Sequence, residues 1–345
     1  MSRLRLISIV CFIFVFSWMR MSGQQKLRLI PTFENCSYYC DTVFDVTFDK
    51  AWNTSDVFRL LYKAKNESQW CEAFPPYYDI QRFQLRGSIM NLKENTEYDV
   101  RLEKKRKNKW ITAKKGDFVT WNSCPPIKRE WKLSELKEYK AGSGVVLKGM
   151  KGRADGWIKI IGDVPIEVSS TYRQALEVDD CRYLILENFV VKGGKIDAVA
   201  IRENCENVRI VGADISAWGR VAVDQVHLED SINYPAVKYK RDNACFIDEE
   251  GVVIRNDAGI YLGTVGKVPG PKDIVVERCY IHDPNGHSNA WHGTREIGRA
   301  KGIPYRFWHP QGPQGIYMRS RGGLVIRYND VVGMDHHRLH DLLGG

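Results

Sequence analysis

After residue 18 the chain has no apolar run long enough to cross a bilayer, and before His227 it has no histidine at all. The first absence leaves no second candidate for a membrane-spanning helix. The second removes the commonest proton carrier at neutral pH from everything upstream of that position. Zinc-site spacing is also missing, since Cys36-x3-Cys40 has no second pair at a suitable distance. Nor is the composition biased. Of 345 residues, 43% are hydrophobic and 27% charged, which excludes a disordered or fibrous chain and allows two domains with ample core.

What is present begins with a leader. Arg3 and Arg5 precede an apolar run from Leu6 to Trp18, and Ser22, Gly23, Gln24 and Gln25 follow. A charged segment, a short apolar segment and a small-residue zone read as a signal peptide over residues 1–23. The mature protein is therefore expected to be exported, to the extracellular space, the periplasm or the cell surface, with no stable membrane span. Formal net charge is +9, and loss of Arg3, Arg5 and Arg20 leaves 48 basic against 42 acidic residues, a net +6. A basic excess outside the cell suits an anionic polymer, and export argues against nucleic acid. Eight of the nine cysteines lie beyond the leader, where disulfides are permitted but their connectivity is not readable.

Residues 27–124 alternate with period two in short runs. Phe44, Val46 and Phe48 are one set, Phe58, Leu60 and Tyr62 another, and Tyr98, Val100 and Leu102 a third. Turn residues at Asn66, Pro75-Pro76 and Lys107-Asn108 separate such runs, so half-buried strands forming a β-sandwich are expected. Leu92-Lys93-Glu94-Asn95-Thr96-Glu97-Tyr98 resembles the tyrosine corner of fibronectin type III domains, with Glu94 in place of the usual proline. The basic run Lys104–Lys107 falls at a predicted hairpin turn. Residues 125–140 read as a linker with helical character from Leu133 to Tyr139.

Beyond 140 a nine-residue phrase recurs, starting at Tyr183, Asn207, Asp273 and Gly323, with apolar residues at its second, fourth and ninth places. A shorter strand precedes each copy: Ala175–Val178, Ala198–Ile201, Gly259–Leu262 and Gly315–Met318. No helical period lies between copies. One coil cannot bury its inward side chains alone, but stacked coils place equivalent residues above one another. Leu184, Val208, Ile274 and Leu324 would form one internal ladder, and Leu186, Ile210, Val276 and Ile326 a second. Asn188, Asn204, Asn207 and Asn329 suit tight turns. The phrase resembles the repeat of pectate-lyase-like right-handed parallel β-helix proteins over residues 141–345. The expected fold is thus all-β, a sandwich followed by a solenoid. His340–Gly345 supplies no visible cap, so an incomplete, truncated solenoid is expected.

Seven histidines fall between 282 and 340, and long excursions occupy 216–257 and 282–314. Loops on a rigid solenoid commonly carry the binding face. In scaffold the chain resembles polysaccharide lyases, which abstract the proton α to a uronate carboxylate with a base and a neutralising cation. That resemblance implies His309 or His337 as base and Arg319 or Arg327 as cation. A glycoside hydrolase would need a carboxylate pair, for which Asp335 and Asp341 are the candidates. A third reading is a non-enzymatic glycan-binding or adhesive protein, with Tyr261 and Tyr317 as an outward platform. His282, Asp283, Lys192 and Lys195 are candidate substrate-binding groups. No cofactor is identified. His336, His337 and His340 match no recognised zinc motif, and Ca2+ would want oxygen ligands such as Asp179-Asp180 or Glu249-Glu250. The partner expected overall is an extracellular, anionic polysaccharide.

Overall fold

The computed structural model describes residues 27–41, 57–221, 249–250, 257–263, 270–285 and 314–332, with the backbone of 224–227 and 244–247. The chain divides into two compact units, 1–123 and 124–345. The run at Phe44–Phe48 lies outside the described residues.

Among the described residues, the first unit is a β-sandwich with four antiparallel strands in each of two sheets. One runs in the order Leu27–Pro31, Cys36–Asp41, Gln84–Ile89, Tyr77–Asp79. The other runs Cys71–Glu72, Phe58–Ala64, Glu97–Arg106, Lys109–Val119. The period-two runs deliver Phe58, Leu60, Tyr98, Val100 and Leu102 to one core with Tyr38, Leu85 and Ile89. The Tyr98 hydroxyl accepts a hydrogen bond from the Lys93 backbone N–H at 2.8 Å, beside buried Leu92, which is the corner expected from the sequence. Lys107 and Asn108 both have positive φ, 46° and 62°, as a two-residue hairpin turn between twisted strands requires.

The second unit is a parallel β-helix. Each coil contributes one strand to each of three parallel sheets. The first sheet stacks Val145–Lys148, Gln174–Asp179, Asp197–Ile201, Ala258–Leu262 and Gln314–Met318. The second stacks Ile127–Lys132, Trp157–Ile161, Arg182–Glu187, Glu206–Val211, Lys272–Glu277 and Leu324–Arg327. The third stacks Ile166–Glu167, Val190–Lys192, Asp214–Ser216, Tyr280–His282 and Asp330–Val331. The nine-residue phrase is therefore two strands joined by a bend, and each coil has three strands where the sequence suggested at least two.

Both predicted ladders are in register. Ile158, Leu184, Val208, Ile274 and Leu324 align, as do Ile160, Leu186, Ile210, Val276 and Ile326. Their members up to the fourth coil are at most 2% exposed. The first sheet adds Val145, Leu176, Val199 and Ile260, and the third adds Ile166, Val191, Ile215 and Ile281.

The linker expectation for 125–140 needs correcting. Ile127–Lys132 pairs in parallel with Trp157–Ile161 as an extra rung of the second sheet, and Leu133 is fully buried in the solenoid core. Only Leu133–Glu135 is helical, as one 3-10 turn. The exposed, charged face of Ile127–Lys132 masked its strand character, because an edge rung has just one neighbour to satisfy.

Two corners per coil are set by left-handed residues. At the entry to the second sheet stand Tyr183, Asn207, Asp273 and Gly323, with φ of 51°, 54°, 56° and 65°. At the bend into the third sheet stand Asn188, Gly212, Arg278 and Tyr328, with φ of 57°, 65°, 55° and 58°. Asn188 and Asn207 thus occupy such turns, whereas Asn204 and Asn329 are not among the positive-φ residues. Asn329 instead points its amide at the backbone, accepting from Cys279 N at 2.8 Å and donating to Val276 O at 2.9 Å.

The excursion after the third coil is closed by an ion pair. Arg220, at its exit, reaches Asp257, at its return, through its backbone N–H at 2.9 Å, Nε at 2.9 Å and Nη2 at 2.6 Å. Both side chains are buried.

Two substitutions separate packing from backbone conformation. Leu186→Ala is expected to cost about 2–5 kcal/mol through a core cavity. Asn188→Val is expected to cost roughly 1–2 kcal/mol and Asn188→Gly much less, because only the left-handed backbone is at issue. Urea unfolding of the three variants checks both statements; equal stability of the glycine and valine variants would contradict the second.

Candidate functional site on the third sheet

Alternation in the third sheet follows from its short strands. Val191, Ile215 and Ile281 face the core, so their neighbours face out in two rows that cross the coils. Glu167, Lys192, Ser216 and His282 form one row, and Val190, Asp214, Tyr280 and Asp330 the other. Successive members are one strand spacing apart, about 4.8 Å.

His282 is the most constrained group in these rows. Its Nδ1 lies 2.8 Å from Asp283 Oδ2 and its Nε2 lies 3.0 Å from Asp214 Oδ1. Tyr280 stacks on the ring, with centroids 3.9 Å apart and planes 18° from parallel. Partial burial opposes the charged form, but the two carboxylates outweigh it and hold the imidazole pKa above its usual value. An imidazole with both nitrogens directed at carboxylates is an imidazolium with two donors. Both ring nitrogens are occupied by carboxylates, so neither is free to take a proton from a ligand.

The same rows lead into a cleft. The turns after the third-sheet strands are stacked, and between them lies a concavity of about 160 Å³ lined by Gly193, Gly194, Lys195, Arg220, Glu249 and Asn285 among others. Its depth rests on the glycine pair. Gly193 and Gly194 have φ of 100° and 101°, and a Cβ on either would strike the carbonyl oxygen of Val168 or of Asp197 respectively. Asn285 fastens the fourth coil to the third, donating from Nδ2 to Ala217 O at 2.7 Å. Lys195 bridges Glu249 at 3.2 Å and Glu250 at 2.7 Å across the cleft rim.

Beneath the cleft is a buried acidic pair. Asp257 is ionised against Arg220, as the bidentate contact requires. Asp197 accepts from Ala258 N at 3.2 Å and from Gln174 Nε2 at 3.4 Å. Burial pushes its carboxyl up to about 7, with nearby Asp257 adding to the rise. Neither carboxyl lines the cleft.

The structure thus gathers Lys192, Lys195, His282 and Asp283 onto one continuous surface. It does not gather the remaining candidates there. Tyr261 and Tyr317 are equivalent outward positions of the first sheet, stacked with centroids 5.0 Å apart, and Arg319 donates from Nε to the Tyr317 hydroxyl at 3.3 Å. Tyr261 is only 4% exposed, so the pair is packed against itself and offers no open platform. Arg327 lies on the second sheet, where Nε meets buried Glu277 at 2.6 Å. The two arginines proposed as alternative neutralising cations therefore belong to different faces. His309, His337, Asp335 and Asp341 lie outside the described residues. The oxygen ligands suggested for calcium are bound to lysines: Asp179 to Lys148 at 2.8 Å, Asp180 to Lys151 at 2.5 Å, and Glu249 and Glu250 to Lys195. Among the described residues, no group of three or more His, Cys, Asp or Glu side chains could hold a metal ion.

Asp214, Arg220, Asp257 and Asp197 were missed by sequence reasoning. Asp214 was within reach, being the eighth residue of its phrase and so the outward neighbour of Tyr280 one coil on. Arg220 and Asp257 meet across an excursion, and no spacing rule brings them together.

No family model and no curated protein matches the chain. Among solved structures the chain is similar to the family 28 exopolygalacturonase of Yersinia enterocolitica, with 8% identity and a TM-score of 0.23, over 88% of this chain and 69% of that one. At this level of likeness no residue of the site has a counterpart to argue from; the three stacked parallel sheets define the β-helix by themselves.

Stability should fall as pH rises from about 4 to 8. Asp197 carries its proton to a higher pH when folded than its usual 3.8, so its contribution is complete below that value and is lost as pH rises towards about 7. His282 likewise holds its proton more tightly when folded, so its share is complete below about 6.5 and is lost as pH passes the raised value. Urea midpoints measured across this range should flatten at the lower end in Asp197→Asn and at the upper end in His282→Gln. Unchanged profiles in both would refute these assignments.

Proposed function

We propose that this protein is exported and acts on a uronate-containing polysaccharide laid across the coils along the third-sheet face and its adjoining cleft. The observation that carries this reading is the row Lys192, Ser216, His282, which repeats once per coil and runs into the cleft at Gly193, Ala217 and Asn285. A rigid row at the strand spacing suits a linear polymer, and the exposed cation Lys192 suits a carboxylate along it, while His282, with both nitrogens held by Asp214 and Asp283, keeps that stretch of the row in place. Bidentate or charge-assisted contacts of this kind orient a chain as well as hold it.

For β-elimination, the cations of this face would neutralise the uronate carboxylate and make the α proton more acidic. His282 has both nitrogens committed to Asp214 and Asp283, so proton abstraction falls to His309 or His337, the candidates from the sequence. Hydrolysis would instead draw on a carboxylate pair such as Asp335 and Asp341. The N-terminal sandwich we read as a fibronectin type III-like spacer; its strand order and the Tyr98 corner support that reading.

The test is incubation with a panel of polyuronates and neutral glycans. Products absorbing in the ultraviolet would identify a lyase, and new reducing ends without them a hydrolase. Lys192→Ala should weaken polyuronate binding roughly 10- to 100-fold, as loss of a charge-assisted contact predicts, and His282→Ala should weaken it by less, because its nitrogens bond Asp214 and Asp283 rather than the ligand. Binding without either product would end the enzymatic reading, and failure to bind any polyuronate would end the proposal.

A further inference from the structure

Cys181 and Cys205 each stand immediately ahead of a second-sheet strand, one coil apart. Arg182 pairs with Glu206 in register, and Glu206 N donates to Cys181 O at 3.0 Å. The two cysteines therefore stack at the strand spacing of about 4.8 Å. A disulfide spans Cα atoms about 4.4–6.8 Å apart, so parallel stacking places this pair within reach without moving the backbone. Both residues are 0% exposed. Their thiols make weak contacts to backbone carbonyls: Cys181 Sγ to Asp179 O at 3.2 Å and Leu147 O at 3.3 Å, and Cys205 Sγ to Val178 O at 3.4 Å.

The other described cysteines have no such arrangement. Cys36 and Cys40 lie four residues apart on one strand, about 13 Å along it. Cys71 and Cys124 are exposed. Cys279 belongs to another row, after the bend at Arg278.

We propose that Cys181 and Cys205 form a disulfide that staples the second coil to the third. The oxidant is a disulfide, either of a thiol oxidase or of oxidised glutathione. One cysteine thiolate attacks it and releases one thiol, leaving a mixed disulfide. The second cysteine thiolate then attacks that bond, forming the Cys181–Cys205 bond and releasing the other thiol. Two cysteine thiols are oxidised, one external disulfide is reduced to two thiols, and the two protons pass to the departing sulfurs. Because both positions are buried in the folded coil, the exchange belongs to folding, before the third coil closes over the second. The staple needs an oxidising compartment, as the exported reading supplies, and is independent of what the third sheet binds.

The experiment uses the full chain, refolded with a reduced and oxidised glutathione pair, and in parallel recovered from an oxidising compartment. Each sample is denatured, alkylated without reduction and digested with trypsin. Residues 174–182 and 203–209 should appear as one cross-linked species, two hydrogens lighter than the separate peptides, that splits on dithiothreitol. Reduction should also lower Tm by roughly 5–10 °C, and the double variant Cys181→Ala/Cys205→Ala should show no such difference. Recovery of both peptides in alkylated form from the refolded sample would overturn the pairing. An unchanged Tm on reduction would overturn the stapling role. A failure of export would show instead as protein retained in cells, with the refolded sample still cross-linked.

Discussion

Parallel stacking at a single strand spacing is the constraint from which the solenoid follows. A coil buries its inward side chains only if the next coil offers similar ones at the same place. That condition makes each inward position a column: Ile158, Leu184, Val208, Ile274, Leu324 in one and Ile166, Val191, Ile215, Ile281 in another. The column after the bend shows how strict it is. Phe189, Ala213 and Cys279 are buried there, and Asn329 joins them only by turning its amide onto the backbone of the coil beneath. A polar group in an apolar column must bring its own partners.

The same constraint sharpens the corners. A coil can turn between flat sheets only where a residue takes a left-handed conformation, and such residues recur in equivalent places. Several are neither glycine nor asparagine: Tyr183, Asp273, Arg278 and Tyr328. Each carries a conformational cost of about 1–2 kcal/mol that stacking on a neighbouring coil offsets. Because every coil bends at the same point, outward residues stay aligned over several coils. Straight rows such as Lys192, Ser216 and His282 are a by-product of that regularity, and so is their suitability for an extended ligand.

Much of the solenoid was legible because its signal repeats. Period-two alternation and the aligned phrases are enough to identify the ladders, and Tyr98 six residues after Leu92 identifies the corner of the sandwich. What was hidden depends on single occurrences. Ile127–Lys132 joins the sheet as an edge rung with a charged outer face, so its sequence looks like a connector. The stacking of Tyr261 and Tyr317 was visible from register, but their burial was not. Arg327 was rightly read as outward, yet its partner Glu277 sits one coil below and answers to the same register. Asp197 lies at a strand start where no pattern distinguishes a buried carboxyl from a solvated one.

The Arg220–Asp257 clasp has a consequence for how such a protein can change. It fixes the two points where the chain leaves and rejoins the coil, through bonds from the Arg220 backbone and side chain to the Asp257 carboxylate. With both gateposts held, loop length enters only through a slowly growing closure entropy. Insertion length is thereby decoupled from coil register, since the clasp sets where the fourth coil begins however much chain lies between its two ends.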